Sequence, residues 1–447
     1  MKRILFSIFI LLVIALVGTG AYLGYRLFEG QAPQIIPQKV PTIIGKEASV
    51  SVKIIDKRAG IRTVWAKIVQ GERQVDLEEK VLPIPNRWTG SPIKELAVTW
   101  QIRPRQSGLS SGKALLVIGA FDASLRNGSK GNEAILKIPV RIDYLPPIIT
   151  VLSTIHNVRV GGAGAISFRV NEKVTDVGVR VDKTFFKAFK GPDDVYRALF
   201  SIPYNVFHPK TVQVEAVDIA GNKGISGFAY RVLPRRKKED RINISDSFLQ
   251  RKMPGFVSRF PEVAAPTLIE TFIKVNHILR KKNNDFLLSL CSKTSGTVDF
   301  KGAFERFKGA KRADFADWRH YYYHGKEVDQ AYHLGVDIAS IAHARVPAAN
   351  NGLVVFAGYN GIYGNTVVID HGMGLQSLYA HLSQMAVTVG QRVEKGQTIG
   401  ITGSTGLAGG DHLHFGMMLG GVFINPIEWW DRRWIRDHIT YNLYLKK

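Results

Sequence analysis

Four histidines and one aspartate in the last 115 residues have the types and spacing of a hydrolytic metal site. One carboxylate and two imidazoles can hold Zn²⁺ and leave a coordination position open for water. Two further imidazoles are suited to acid–base catalysis and to stabilising an oxyanion. The five residues lie in three short motifs, His333-Leu334-Gly335-Val336-Asp337, Tyr379-Ala380-His381-Leu382-Ser383 and His412-Leu413-His414-Phe415.

The spacing inside each motif predicts how these side chains meet. Residues i and i+2 of a strand face the same side, so His412 and His414 point into one cleft if 411–415 is a strand. A glycine lies between His333 and Asp337, which favours a loop that enters a strand over a helix. Asp337 offers a hard, anionic oxygen ligand. His381 belongs to neither pair and must approach the site from another strand.

The three motifs, in this order, resemble those of the lysostaphin/LytM-type zinc peptidases, which share a duplicated-hybrid-motif β fold. The family's His-x-x-x-Asp, lone His before Leu-Ser, and His-x-His are joined here by family-like segments at 364–372 and 425–426. The resemblance implies that the metal is Zn²⁺. It also implies that the metal ligands are His333, Asp337 and His414. The catalytic histidines would be His381 and His412.

By that resemblance the expected activity is zinc-dependent endopeptidase cleavage of the peptide cross-links of peptidoglycan. One departure is Gly416, where many relatives carry Glu; this position is not a ligand, so the departure bears on ligand support or substrate fit. Two alternatives stay open. The first is a non-catalytic regulator that keeps this fold and activates another cell-wall hydrolase, although no zinc ligand is missing here. The second is a scaffold whose β domains bind an envelope protein partner.

Residues 4–25 carry no charge and are long enough to cross a membrane. Twenty-two residues at about 1.5 Å each span about 33 Å, close to the ~30 Å hydrocarbon layer. Lys2 and Arg3 precede the stretch and should stay in the cytoplasm. We expect a single-pass anchor in the inner membrane with the bulk of the chain in the periplasm. The alternative is a cleaved signal peptide, for which positions 18, 20 and 21 are small enough.

The formal net charge of +23 is concentrated in the part of the chain near the N-terminus. From Gln330 onward there are eight basic and seven acidic residues, so this segment is nearly neutral. A strongly basic chain suggests a nucleic-acid partner, but export argues against one. Anionic lipid headgroups or an acidic cell-wall polymer are the favoured partners, with solvated surface charge as the alternative.

Cys291 is the only cysteine. A single cysteine excludes a disulfide within the chain and a metal site made of several thiolates. It follows an apolar run, so we expect a small buried hydrophobic side chain. Zinc bound to this chain would therefore be held by histidine and carboxylate.

The residue pattern predicts a mainly β, multidomain protein. Two blocks of alternating strands end in similar turns at Asp122 and Asp218, 218 − 122 = 96 residues apart. That interval suits sandwich domains of ~100 residues, and the pair resembles tandem immunoglobulin-like bacterial surface domains. The predicted segments are an anchor (1–28), a linker (29–43), two immunoglobulin-like β domains (44–145 and 146–233), a basic region of mixed helical and irregular structure (234–327), a LytM-type zinc peptidase domain (328–434) and a tail (435–447).

Local patterns refine the second half of the chain. Ser245 or the residue after it is placed to cap a helix, and apolar spacing predicts a helix over 267–282. The aromatic residues that follow predict a subdomain packed against the C-terminal domain, with substrate binding or covering of the cleft as alternatives. Strands are expected at 352–358 and 365–370, and a hairpin at 390–400.

Overall fold

The computed structural model describes residues 2–85 and 90–445, and these fall into two compact units. One unit contains residues 1–146 and 217–223, and the other contains 147–216 and 224–447. The chain is mainly β, as its pattern predicts. Lys446 and Lys447, at the end of the predicted tail, lie outside the described residues.

The apolar N-terminal stretch forms helix α1 (Lys2–Leu27). Its segment Phe6–Tyr25 has a mean hydropathy of 2.4, and none of it is buried in the protein. Twenty apolar residues in one helix match the thickness of a bilayer. The helix is therefore a candidate membrane anchor or signal sequence.

The first unit contains two β-sheets around one core. Their strand orders are β1-β3-β6 and β2-β8-β7-β4-β5. Val50 and Trp100 of the first sheet and Ile68 and Ile118 of the second are buried in the same core, which makes the two sheets a sandwich. Its elements are β1 (Gln34–Lys39), β2 (Ile43–Ile44), β3 (Ala48–Ile55), β4 (Ile61–Gln70), β5 (Arg73–Val81), β6 (Glu95–Ile102), β7 (Gly112–Asp122), the short turn α2 (Arg126–Ser129) and β8 (Glu133–Ile142).

Part of the predicted linker 29–43 belongs to this sandwich. Strand β1 pairs antiparallel with β3, with Gln34 opposite Ile55. Glu29 is buried, and its backbone carbonyl accepts a hydrogen bond of 2.9 Å from Nδ2 of Asn132. Pro37 lies inside β1, and the sheet tolerates it because β1 is an edge strand. Residues 34–39 are therefore an edge strand of the first β domain, which differs from the predicted linker.

The second β block forms ten short strands in three sheets. The orders are β14-β15-β11-β9, β13-β12-β16-β17 and the parallel pair β10-β18. The immunoglobulin-like assignment of this block and of the first sandwich stays a prediction. The strands are β9 (Ile149–Val151), β10 (His156–Arg159), β11 (Ala163–Val170), β12 (Val174–Val181), β13 (Thr184–Lys187), β14 (Phe189–Lys190), β15 (Tyr196–Ser201), β16 (Val212–Asp218), β17 (Lys223–Ser226) and β18 (Tyr230–Leu233).

The next region is helical and begins with the predicted cap. Ser245 accepts a hydrogen bond from the Phe248 amide and caps α3. Thr267 and Glu270 form a capping box at the start of a helix that continues to Leu290, past the predicted end at 282, with one π-helical turn inside it. The elements are β19 (Glu239–Asn243), α3 (Asp246–Arg259), α4 (Leu268–Lys274), the π turn (Val275–Leu279), α5 (Arg280–Leu290), β20 (Ala310–Ala313), β21 (Trp318–Tyr323) and β22 (Lys326–Tyr332).

Aromatic residues join this region to the C-terminal domain. The rings of Phe300 and Phe304 lie 5.6 and 5.5 Å from that of Trp429, and Trp429 is fully buried. Edge-to-face contacts of this kind add to the stabilisation from burial. The predicted packing of the aromatic region on the C-terminal domain is confirmed.

The C-terminal domain is built on a large sheet of order β20-β23-β31-β27-β26-β25-β29, with β32 paired to β31. A small sheet of order β24-β30-β28 completes it. The elements are β23 (Val336–Ala339), β24 (Arg345–Pro347), β25 (Gly352–Tyr359), β26 (Asn365–Asp370), β27 (Leu375–Leu382), β28 (Gln384–Met385), β29 (Arg392–Val393), β30 (Thr398–Ile401), β31 (Leu413–Leu419), β32 (Val422–Ile424), α6 (Pro426–Trp429), α7 (Arg432–Trp434), a π turn (Ile435–Thr440) and α8 (Tyr441–Tyr444).

The strands expected at 352–358 and 365–370 are confirmed as β25 and β26, but the hairpin expected at 390–400 is wrong. Its two strands do not pair with each other: β29 pairs with β25, and β30 pairs with β24 and β28. A tight turn between Glu394 and Gln397 links two different sheets. The glycines in this segment predict the turn, whereas tertiary packing determines which strand each of the two strands pairs with.

Candidate metal centre

Three adjacent strands of the large sheet carry the candidate site. β31 lies between β23 and β27, and Asp337 of β23 is directly opposite His414 of β31. On the other side, His414 is opposite Ala380 of β27. Side chains directly opposite each other in a sheet are neighbours, so pairing alone brings Asp337 beside His414.

The close approach of the first motif to β31 requires a glycine. A Cβ atom on Gly335 would lie 2.5 Å from Nε2 of His414 and 2.8 Å from the carbonyl oxygen of Phe415. The chain can pass this close only because Gly335 has no side chain. His333 thereby reaches the same site from the loop before β23, as the motif predicts.

His381 enters the site through a bulge at the end of β27. The register between β26 and β27 shifts here, with Asn365 opposite Leu382 and Val367 opposite Tyr379. His381 has a φ of +64°, a left-handed conformation that is uncommon for a residue with a side chain. A bulge re-aims a side chain, which explains how His381 points toward His414 of β31 and toward His412, which directly precedes that strand.

The candidate ligand atoms form a small triangle. Oδ1 of Asp337 lies 2.9 Å from Nε2 of His333 and 2.9 Å from Nδ1 of His414, and these two nitrogens are 3.0 Å apart. All three side chains are buried. Nε2 of His412 is 3.6 Å from the same oxygen, and the ring of His381 lies 4.9 Å from that of His412. The structure thus brings together all five residues that the motifs singled out.

Backbone carbonyls fix the orientation of three of the rings. Nδ1 of His333 donates to the carbonyl oxygen of Asp314 at 2.9 Å. Nδ1 of His381 donates to that of Thr405 at 2.9 Å, and Nδ1 of His412 to that of Gly410 at 2.9 Å. A neutral imidazole has one N–H, so in its neutral form each of these rings presents an unprotonated Nε2 to the site.

The protonation of the site suits metal binding. Burial would raise the pKa of Asp337, but the neighbouring His333 and hydrogen bonds with the histidines hold that pKa well below its usual range. Burial lowers the pKa of His414 to about 4. Burial, together with His412 and His414, lowers the pKa of His381 well below its usual range. A carboxylate and neutral imidazoles are the forms that bind a metal.

The donor set fits Zn²⁺. Nitrogen and oxygen ligands at about 2.0–2.1 Å in a tetrahedron are about 3.3 Å apart, so the observed triangle needs only a small expansion. Two imidazoles and one carboxylate are a common set of ligands for a zinc site that keeps one position open. His333, Asp337 and His414 are the residues that could hold the ion.

Arg319 is a member of the site that the sequence analysis missed. Its guanidinium donates a hydrogen bond of 2.9 Å from Nη2 to Oδ2 of Asp337, the carboxylate oxygen that faces away from the triangle. The residue lies on β21, outside the three motifs and inside the aromatic-rich region. Strand alternation places Arg319 on the same face of β21 as Tyr321, but no local pattern in the sequence connects it with Asp337.

A cleft of about 430 Å³ opens beside the triangle. One wall comes from the helical region and includes Phe248, Phe272 and Tyr321, and the other includes Tyr363 and His412. The region that precedes the peptidase-like domain therefore forms part of the candidate active site.

The remaining histidines of the domain lie elsewhere. His371 is buried and bonded through Nδ1 to the carbonyl oxygen of Asn351 and through Nε2 to the Ser377 hydroxyl. His343 is exposed and lies near Asp411, and His438 stacks on Trp434. None of the three is among the residues that line the cleft.

A buried carboxylate and two imidazoles, flanked by two more histidines on a β-sheet, define a metallopeptidase-type centre. Residues 331–426 match the model of peptidase family M23, and the C-terminal region carries a domain of that family. The match begins two residues before His333 and ends after the Asn425-Pro426 pair. The predicted resemblance to LytM-type peptidases is confirmed for this domain.

Three named relatives match the chain over 94–98 residues, about the length of the M23 match. The chain is 41% identical over 96 residues to DD-carboxypeptidase/endopeptidase Mpg of Neisseria meningitidis serogroup B, covering 22% of each protein. It is 38% identical over 94 residues to peptidoglycan DD-endopeptidase ShyC of Vibrio cholerae, covering 21% of this chain and 22% of ShyC. It is 36% identical over 98 residues to murein hydrolase activator EnvC of Escherichia coli, covering 22% of this chain and 23% of EnvC.

Among solved structures, the chain is similar to a crystal structure described as peptidase M23 from Pseudomonas aeruginosa. The identity is 18%, the TM-score is 0.38, and the match covers 61% of this chain and 94% of that one. The chain spans about a fifth of the length of the named relatives. It spans 94% of the length of this structural neighbour.

Proposed function

We propose that this protein is a zinc-dependent endopeptidase that hydrolyses peptide cross-links of peptidoglycan. The observation that carries the proposal is the triangle of Asp337, His333 and His414, with edges of 2.9–3.0 Å, beside His381 and His412. The M23 domain and the names of the Vibrio and Neisseria relatives support the reaction and the substrate.

The three ligands and their supports would fix the metal. Zn²⁺ held by Nε2 of His333, Oδ1 of Asp337 and Nδ1 of His414 would polarise a peptide carbonyl and acidify a water molecule. Arg319 holds the other carboxylate oxygen of Asp337, so that Oδ1 alone faces the triangle. The Asp314 carbonyl holds the His333 ring in the orientation that presents Nε2.

The two other histidines would handle the protons and the developing charge. His381 makes no ion pair with a carboxylate among the described residues, and its neutral ring presents Nε2 to the site, so it is suited to accept a proton from the attacking water. His412 lies 3.6 Å from Asp337, whose negative charge favours the imidazolium form. A protonated His412 would stabilise the oxyanion and then donate a proton to the leaving amine.

The N-terminal helix would place this activity at the inner membrane, facing the periplasm. Phe6–Tyr25 is a span of suitable length, and Lys2 and Arg3 precede it. The basic charge of the region before the peptidase domain would attract anionic lipid or acidic wall polymer. The β domains are proposed to set the reach from the membrane toward the wall and to bind envelope partners.

A non-catalytic role as an activator of another cell-wall hydrolase is the second candidate. The similarity to EnvC, a murein hydrolase activator, favours it. The complete set of His333, Asp337 and His414 favours the enzyme, because an activator has no need of buried metal ligands.

The test measures zinc content and muropeptide cleavage on the same full-length protein in detergent. An enzyme should bind one zinc ion per chain and cleave; Asp337→Asn should lose both properties, and His381→Ala should keep zinc and lose cleavage. A protein that holds no zinc, cleaves nothing and stimulates a second wall hydrolase would establish the activator role instead.

A further inference from the structure

The cleft beside the metal triangle has an excess of positive charge. Arg251, Arg280 and Arg319 line it, whereas Asp337 is the single carboxylate among its described lining residues. Three cations against one anion leave a net charge of +2 before any metal is bound. Apolar side chains such as Phe248, Phe272 and Ile362 also line the cleft, and their low polarity strengthens electrostatic interactions inside it.

Two of these arginines retain donors for a ligand. Arg319 is engaged with Asp337 and belongs to the metal support. Arg280 uses Nε and Nη2 on the side-chain oxygen of Asn276, and its Nη1 has no partner among the described residues. Arg251 is exposed and makes no hydrogen bond or ion pair within the described part of the chain.

The local fold fixes the backbone positions of Arg251 and Arg280 beside the cleft. Arg251 lies one helical turn after Phe248 on α3, and both residues line the cleft. Arg280 follows directly on the π turn Val275–Leu279, an insertion that shifts the face of the helix. Met253 of α3 and Leu279 before Arg280 are buried in the core, so both arginines stand on rigid elements.

We propose that Arg251 and Arg280 determine specificity by binding a carboxylate of the peptide substrate next to the scissile bond. Arginine binds carboxylate through charge-assisted hydrogen bonds, with a second bond where the fork is free. The proposal deepens the proposed function and rests on it. A peptide whose carboxylate is amidated would lose this attraction, because an amide is uncharged and presents N–H groups to the guanidinium.

The test compares a cross-linked muropeptide with the same muropeptide after its carboxylates are converted to amides. Full-length zinc-loaded protein in detergent should cleave the acid form with a kcat/KM about 10- to 100-fold higher, as expected for a hydrogen bond to a charged group. Arg251→Gln and Arg280→Gln should each reduce this preference, and the double variant should abolish it. Arg312→Gln, at an exposed position outside the cleft, is the matched control and should change neither rate.

Equal cleavage of acid and amide by the wild type, or an unchanged preference in the double variant, would overturn the proposal. Equilibrium binding of the same two peptides separates this failure from failure of the proposed function. If the wild type cleaves neither peptide, the proposed function fails. Preferential binding of the acid form, lost in the double variant, would still support the arginine site, and equal affinities would overturn it.

Discussion

Nε2 of His333 lies 3.0 Å from Nδ1 of His414, although the two residues are 81 positions apart in the chain. The same carboxylate oxygen of Asp337 lies 2.9 Å from each nitrogen. Three buried electron-pair donors this close together are satisfied by protons or by a cation between them. The proposed zinc binding and catalysis both depend on this arrangement.

Arg319→Met should weaken zinc binding. The substitution keeps much of the side-chain volume but removes the donor to Oδ2 of Asp337, so the carboxylate is free to rotate. Loss of a group that orients a metal ligand typically costs about 10–100-fold in metal affinity or activity. Zinc affinity measured by competition with a chelator should fall by this factor, with Arg312→Gln as control. Unchanged affinity would show that Arg319 does not support the site.

Phe304→Ala should destabilise the second unit by about 3–5 kcal/mol, the usual cost of removing a fully buried phenylalanine ring. Phe304 is 2% exposed and packs on Trp429 and His371. Phe286, which is 39% exposed, provides a comparison on the same region. Chemical denaturation should show a much smaller loss for Phe286→Ala, and equal losses would argue against a shared core.

Glu428 should make stability depend on pH. Burial raises the pKa of Glu428 from its ordinary 4.5 to about 7, with the Ala163 amide as its hydrogen-bond donor. The folded chain then holds a proton that the unfolded chain has lost, so stability falls as pH rises from about 4.5 to 7. The full loss, at most about 3 kcal/mol, is present above pH 7.

Glu428→Gln removes this titration and keeps an oxygen for the Ala163 amide. Thermal unfolding at pH 5 and pH 8 should therefore differ less in Glu428→Gln than in the wild type. A pH-dependent difference that is the same in both proteins would contradict the assignment.

Cys291 should be inert in the folded protein. It is 4% exposed, and burial raises the pKa of its thiol to about 12. Since the thiolate is the reactive form, a thiol reagent at pH 8 should modify Cys291 only in denaturant. Rapid modification of the folded chain would show that this core opens readily.

The sequence located the candidate site because its residues sit in short motifs whose geometry follows from strand alternation. Strand alternation predicts that His412 and His414 face one cleft, and Gly335 indicates that His333 lies in a loop that enters the strand of Asp337. His381 reaches the site through a bulge, and Arg319 reaches it from a strand of another region. Neither placement is indicated by a local pattern in the sequence. The same limit explains the wrong hairpin at 390–400, where tertiary packing sends two neighbouring strands into different sheets.

The structure also changes how the region before the peptidase domain is to be tested. If this region only covered the cleft, deleting 235–325 would raise activity. Phe272 and Tyr321 line the cleft, and Leu249 and Leu287 belong to the core shared with the C-terminal domain. Such a deletion would remove a wall of the site and expose the core, so point substitutions such as Arg251→Gln are the cleaner probe.

Mass spectrometry of purified sacculi digested by the full-length protein tests the central claim most directly. Wild-type protein loaded with zinc should release peptides in which each cut cross-link has gained one water, with a new amino and a new carboxyl terminus. His414→Ala and chelated wild-type protein should release none. Release of the same peptides by either of these, or no release by fully zinc-loaded wild type, would contradict the account.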